Sequence, residues 1–180
     1  VVERYRGEVW SFDAASGEGR VVASGLGEMI GATVDRAGRL FVSQFRAFVP
    51  ASGTVALVDP SSGSFTPIEG TTEVFGLSND PEADILYVGG YNTGDLYRLE
   101  ETSPGVWVVS VEESFGSPNR ISHALKDGNS LYIACQDTGV WVKDLATGMV
   151  TLGVEIPPFA TILRKEAGGH LIVGSELDVL

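Results

Sequence analysis

The sequence predicts an all-β chain built from four-stranded antiparallel units repeated along its length. Two recurring anchors and one pattern of turns carry that prediction. The first anchor is an apolar quartet, Arg39-Leu40-Phe41-Val42. It returns as Ile85-Leu86-Tyr87-Val88, Ser130-Leu131-Tyr132-Ile133 and His170-Leu171-Ile172-Val173. From Val42 to Val88, Ile133 and Val173 the steps are 46, 45 and 40 residues. The second anchor runs from a glycine or threonine to an acid at 7–13, 53–59, 94–100 and 138–144, stepping by 46, 41 and 44 residues between the acids. Two independent anchors with one period mark a repeat of supersecondary structure.

Each unit has the chemistry of strands. The segments are short, rich in Val, Leu, Tyr and Phe, and bounded by Gly, Pro, Asn and Asp. Turns fall at matching places, as in Asp35-Arg36-Ala37-Gly38 and Asp127-Gly128-Asn129. Others are Asp59-Pro60-Ser61-Ser62-Gly63 and Asp144-Leu145-Ala146-Thr147-Gly148. Four strands in roughly 40–45 residues is the size of a β-propeller blade. The expected innermost strands precede the quartets, at 30–35, 75–80, 119–124 and 159–164. The quartet opens the second strand and the Gly-to-acid segment forms the third. On this phasing residues 1–180 form one propeller domain or segment, with complete blades at about 28–70, 71–114 and 115–155. Partial blades at 1–27 and 156–180 flank them, so the expectation is a segment of a larger, six-bladed propeller.

The 180 residues are 43% hydrophobic and 20% charged, enough to bury a core. Twenty-four acids against 12 Lys and Arg leave a net charge of −12. That sign argues against nucleic acid as a partner. No apolar run reaches the roughly 18–20 residues that membrane insertion by a helix needs. The single cysteine, Cys135, excludes an internal disulfide or a multi-cysteine metal site and is expected as a small buried thiol.

Residues 87–97, Tyr-Val-Gly-Gly-Tyr-Asn-Thr-Gly-Asp-Leu-Tyr, resemble the YVTN-type repeat. Pro118-Asn119-Arg120-Ile121, followed by Asp127-Gly128 and Leu131-Tyr132-Ile133, resembles the repeat unit of the NHL and senescence-marker/gluconolactonase-like propellers. The resemblance implies the fold over the whole chain but no single activity, because this superfamily mixes hydrolases with binding modules. Its lactonases hold a divalent cation through Asn or Asp at the start of successive inner strands. Here that column is expected to run Ile30, Phe75, Asn119, Phe159, so Asn119 is the only metal candidate. Calcium, the cation such oxygen ligands suit, is disfavoured beside two phenylalanines, and no cofactor is expected.

The candidate ligand-binding residues lie at the expected channel mouth. Asn119, Arg120 and His123 share one inner strand, with Asn119 and His123 on one face at period 2 and Arg120 in the place of Gly31 and Gly76. The competing assignment has Asn119 tying down a turn and His123 bonding a neighbouring strand. Glu28 and Glu73 occupy matching positions just before their strands, as a pair for acid/base work or cation binding, or as a solvated rim. Trp10, Tyr97 and Trp141 form a third-strand column suited to packing between blades.

Three functions follow as expectations. The leading one is a non-catalytic binding or scaffold module with a protein or small-molecule ligand. The alternatives are a metal-dependent lactonase-like hydrolase and a structural module self-assembling through exposed blade edges. The acidic, cysteine-poor composition, together with the resemblance, favours a location outside the cytoplasm.

Overall fold

The computed structural model describes residues 2–3, 6–45, 53–80, 82–155 and 160–175. They form seventeen strands and no helix. Three sheets have four strands each. The first contains β4 (Met29–Val34), β5 (Leu40–Gln44), β6 (Thr54–Val58) and β7 (Phe65–Ile68). The next contains β8 (Val74–Asn79), β9 (Ile85–Gly90), β10 (Asp95–Ser103) and β11 (Val106–Ser114). The third contains β12 (Ile121–Asp127), β13 (Ser130–Cys135), β14 (Gly139–Asp144) and β15 (Val150–Val154). A three-stranded sheet, β1 (Val2–Glu3), β2 (Glu8–Phe12) and β3 (Gly19–Ala23), precedes them, and the pair β16 (Ala160–Lys165) and β17 (Leu171–Ser175) follows. Every sheet is an antiparallel meander in chain order. Neighbouring sheets meet through their first strands, β4 on β8, β8 on β12 and β12 on β16, which puts these strands innermost.

The turns explain why the chain reverses so regularly. After β2, β6 and β14 an aspartate, Asp13, Asp59 or Asp144, accepts from the backbone amides of the next residues through its Oδ1. Its carbonyl accepts from the amide of a glycine four residues on, Gly17, Gly63 or Gly148. These glycines have φ of 74°, 72° and 73°, which a side chain would resist. Hydrogen bonds from Ser62 and Ser61 hold the Asp59 carboxyl down at about 2. The second sheet lacks this turn, and its outer hairpin β10–β11 runs nine residues on each arm.

The core lies between sheets. Phe41 and Val55 of one sheet pack on Val74, Leu77, Leu86 and Leu99 of the next. Tyr87 and Leu96 pack in turn on Ile121, Leu131 and Ile133. Trp107 meets Phe41 edge-on at 5.4 Å, and Trp141 packs on Phe115 at 5.3 Å. The aromatic third-strand column is therefore used for packing at Tyr97, which is buried, and at Trp141. Cys135 is fully buried, and desolvation pushes its thiol up to about 12.

A clasp between sheets repeats at the far ends of the inner strands. Lys126 of β12 reaches Asp80 at 3.4 Å and Glu82 at 2.7 Å, both in the turn after β8. Lys165 of β16 reaches Asp127 at 2.5 Å, and Thr33 of β4 donates to Asn79 Oδ1 at 2.8 Å.

Candidate functional site

The inner strands share an irregularity that decides what their mouth ends present. In β4, Met29 pairs with Gln44 and Gly31 with Ser43, leaving Ile30 as an extra residue. In β8, Phe75 and Gly76 together face a single partner position. In β12 the extra residue is Ser122, and in β16 it is Thr161. Each inner strand therefore carries a β-bulge at the same place, one residue into the strand.

The bulges correct the expected column. Ile30 and Phe75 align with Ser122, three residues beyond Asn119, and Gly31 and Gly76 align with His123 instead of Arg120. Asn119 precedes β12 altogether. Its Nδ2 donates to the carbonyls of Phe115 at 2.9 Å and Gly116 at 3.2 Å, so it fastens the turn entering the strand. Alternation across the bulge fails, so Asn119 and His123 do not share a face through a regular strand. His123 sits past the bulge, mostly buried. Desolvation, helped by Arg164, holds its imidazole down at about 4, so it is neutral at pH 7. Phe159 lies outside the described residues.

Arg120 has a different place from the one its sequence neighbours suggest. The carbonyls of Glu28, Glu73 and Arg120 accept from the amides of Phe45, Tyr91 and Gln136 at 2.7, 2.7 and 2.8 Å. Those amides directly follow the second strands, so Glu28, Glu73 and Arg120 occupy one position on three successive sheets. Glu73 holds it in the left-handed region, with φ 52°, a conformation that disfavours a side chain by about 1–2 kcal/mol. At the third sheet a guanidinium replaces the carboxylate.

That guanidinium is fixed. Arg120 Nη2 donates to Asp137 Oδ1 at 2.7 Å and Nε to Oδ2 at 3.1 Å, a two-point grip. Its backbone amide also donates to Asp137 Oδ2, at 3.1 Å. The Arg120 bonds keep the Asp137 carboxyl below the usual range, and Asp137 in turn holds Arg120 more firmly protonated. The guanidinium carbon lies 5.6 Å from the centre of the Tyr91 ring, and Nη1 donates to the Tyr91 hydroxyl at 3.4 Å. Tyr91 in turn meets Phe45 at 4.9 Å and Phe75 at 5.1 Å, with Phe45 and Phe75 5.8 Å apart. Phe45 is buried, whereas Phe75 and Tyr91 are only half-buried. The leading ends of the inner strands thus join an aromatic triad to an Arg–Asp pair, with Glu28 and Glu73 at the positions equivalent to Arg120. Among the described residues, no three His, Cys, Asp or Glu side chains lie close enough together to hold a metal ion.

The chain aligns over 97% of its length with a gluconolactonase from Xanthomonas campestris, at 16% identity and a TM-score of 0.76. It aligns over 96% with the β-propeller domain of Cps50 (Swd1) from Myceliophthora thermophila, at 16% identity and a TM-score of 0.69. The chain is a β-propeller. A third similar structure is the extracellular domain of a two-component system from Bacteroides thetaiotaomicron, at 16% identity over 96% of the chain and a TM-score of 0.62. This propeller spans 64%, 57% and 26% of those three chains. No protein-family model matches it, and no curated protein matches it in sequence.

Proposed function

We propose that this propeller is a non-catalytic binding module that takes its ligand at the channel mouth. The observation that supports this reading is the mouth ring itself. Where two sheets present Glu28 and Glu73, the third presents Arg120, tied to Asp137 and resting on the aromatic triad. Arg120 already grips the Asp137 carboxylate at two points, which takes that carboxylate from a divalent cation, and the half-buried rings of Phe75 and Tyr91 offer stacking surface instead. The Arg120–Asp137 pair beside the half-buried Phe75 and Tyr91 rings suits a group with an aromatic or apolar body and a polar or charged end. Such a group belongs equally to a small molecule or to a side chain of a protein partner. A place outside the cytoplasm accords with this acidic surface and with the extracellular neighbour.

The second reading, a metal-dependent lactonase-like hydrolase, draws on the gluconolactonase neighbour. The described residues do not fit it: Asn119 serves a turn and Arg120 stands in the ring. Calorimetric titration with benzylamine and, separately, with calcium chloride tests the two readings. Benzylamine is expected to give a binding heat that falls at least about fivefold in affinity for Phe75→Ala. Calcium heat together with lactone turnover, both lost in Glu28→Gln, would overturn the binding reading in favour of the hydrolase.

A further inference from the structure

The outer edge of the second sheet is built unlike the other outer edges. The outermost strands β3, β7 and β15 are four or five residues long. Pro67 interrupts β7, and Gly19 and Gly153 lie in β3 and β15. Such devices blunt an edge against unwanted pairing. β11 is longer and runs unbroken up to a single bulge at Glu112, near its end. Its nine residues, Val106–Ser114, contain neither proline nor glycine, and Val106, Val108 and Val111 are 53%, 51% and 54% exposed.

The strand is nevertheless held in place. Trp107 packs edge-on against Phe41 and lies under the Arg39 guanidinium at 5.6 Å, while β10 pairs with β11 along nearly its whole length. A fixed, extended, β-branched edge with no strand beside it among the described residues offers backbone donors and acceptors at little ordering cost to itself. Its surroundings are acidic. The β10–β11 hairpin carries Asp95, Glu100, Glu101, Glu112 and Glu113 against Arg98 alone. Arg39 and Lys143 from other strands neutralise only part of this, through Glu101 and the Glu112–Glu113 pair. A second copy of the chain would bring another −12 charges to the edge. A cationic strand meets no such repulsion.

We infer that the free edge of β11 is a docking site for an extended partner segment, with β-branched residues in alternation and lysine or arginine beside Glu112 and Glu113. The segment adds a fifth strand to the sheet. This site is on the outer rim, so it stands or falls independently of the channel mouth.

The test uses a fluorescent ten-residue peptide alternating valine and threonine between paired lysines, and a second peptide ending in glutamates. Fluorescence anisotropy is expected to show the lysine peptide binding at least about tenfold more tightly, with the difference shrinking as salt rises. Amide hydrogen exchange of the intact protein is expected to slow across 106–114 when the lysine peptide is present. Val106→Lys with Val108→Lys, at exposed positions, is expected to abolish binding while leaving the melting temperature within about 2 °C. Unchanged exchange at 106–114, or equal binding by the double variant, overturns the inference. So does protection of 106–114 without peptide, accompanied by a concentration-dependent mass in sedimentation, because the occupant is then a second copy.

Discussion

Gly89 is the place where a single methyl group should do most damage. It lies on β9, and a Cβ built there would sit 2.0 Å from the Ile121 carbonyl oxygen and 2.7 Å from its carbon. Gly76 is placed alike, its Cβ 1.6 Å from the Ser122 oxygen. The bulge that opens β12 is thus seated on two glycines of the neighbouring sheet. Gly89 does not have a left-handed φ, so alanine meets no backbone strain there and the effect is steric alone. The obstacle is main chain and cannot swing aside as a side-chain tip would. Restoring ordinary contact moves the start of β12 by about 1 Å or more, which opens the packing of Ile121 against Tyr87 and Leu96. Overpacking of a tight site costs about 1–3 kcal/mol, and a backbone obstacle places Gly89→Ala at the upper end, about 3 kcal/mol. For a chain of this size that is a drop in melting temperature of about 6–12 °C, measured by scanning calorimetry. Gly105→Ala is the control, since a Cβ there meets nothing within 4 Å and only φ +77° opposes it, costing about 1 kcal/mol. A Gly89→Ala protein that melts within about 2 °C of the parent would refute the seating of β12 on this sheet.

Two further outcomes follow from buried groups. His123 is held at about 4, below the roughly 6.5 of an unfolded chain, so only the unfolded state gains its proton between those values. Its contribution is complete above pH 6.5 and is lost as pH falls towards 4, by at most about 3 kcal/mol; urea unfolding at several pH values should show this slope flattened in His123→Gln. Cys135, buried and with its thiol raised to about 12, should resist thiol reagents in native buffer at pH 8 and react promptly in denaturant. Fast labelling of the native protein would contradict its burial.

The repeat was legible because it depends on local chemistry. Leucine at 40, 86, 131 and 171 and the Asp-to-Gly turns at 13–17, 59–63 and 144–148 are visible as letters, and the strands fall where those letters put them. The channel mouth was less legible. Period-2 counting along 119–123 assumes a regular strand, and the extra residue at Ser122 shifts every assignment upstream of it. Arg120 therefore joins Glu28 and Glu73, and Asn119 falls back into a turn. The aromatic triad was hidden for another reason. Phe45 and Tyr91 follow their second strands and Phe75 sits at a bulge, so only the stacking of two sheets brings them together. A hint was present all the same: Phe45 and Tyr91 each stand three residues past the last letter of a quartet. Asp137, the partner of Arg120, lies in a loop 17 residues downstream with no pattern to announce it.

The bulge shared by the inner strands separates two jobs within one short segment. Beyond it, side chains such as Leu77, Ala124 and Leu163 must interlock with the neighbouring sheet, and their alternation is fixed by that demand. Ahead of it, the chain has slipped out of step, so residues 28, 73 and 120 lie outside the alternation that governs the rest of the strand. One chain therefore carries acid at two of these positions and base at the third over the same layers beneath, as an instrument maker changes a mouthpiece and leaves the bore untouched.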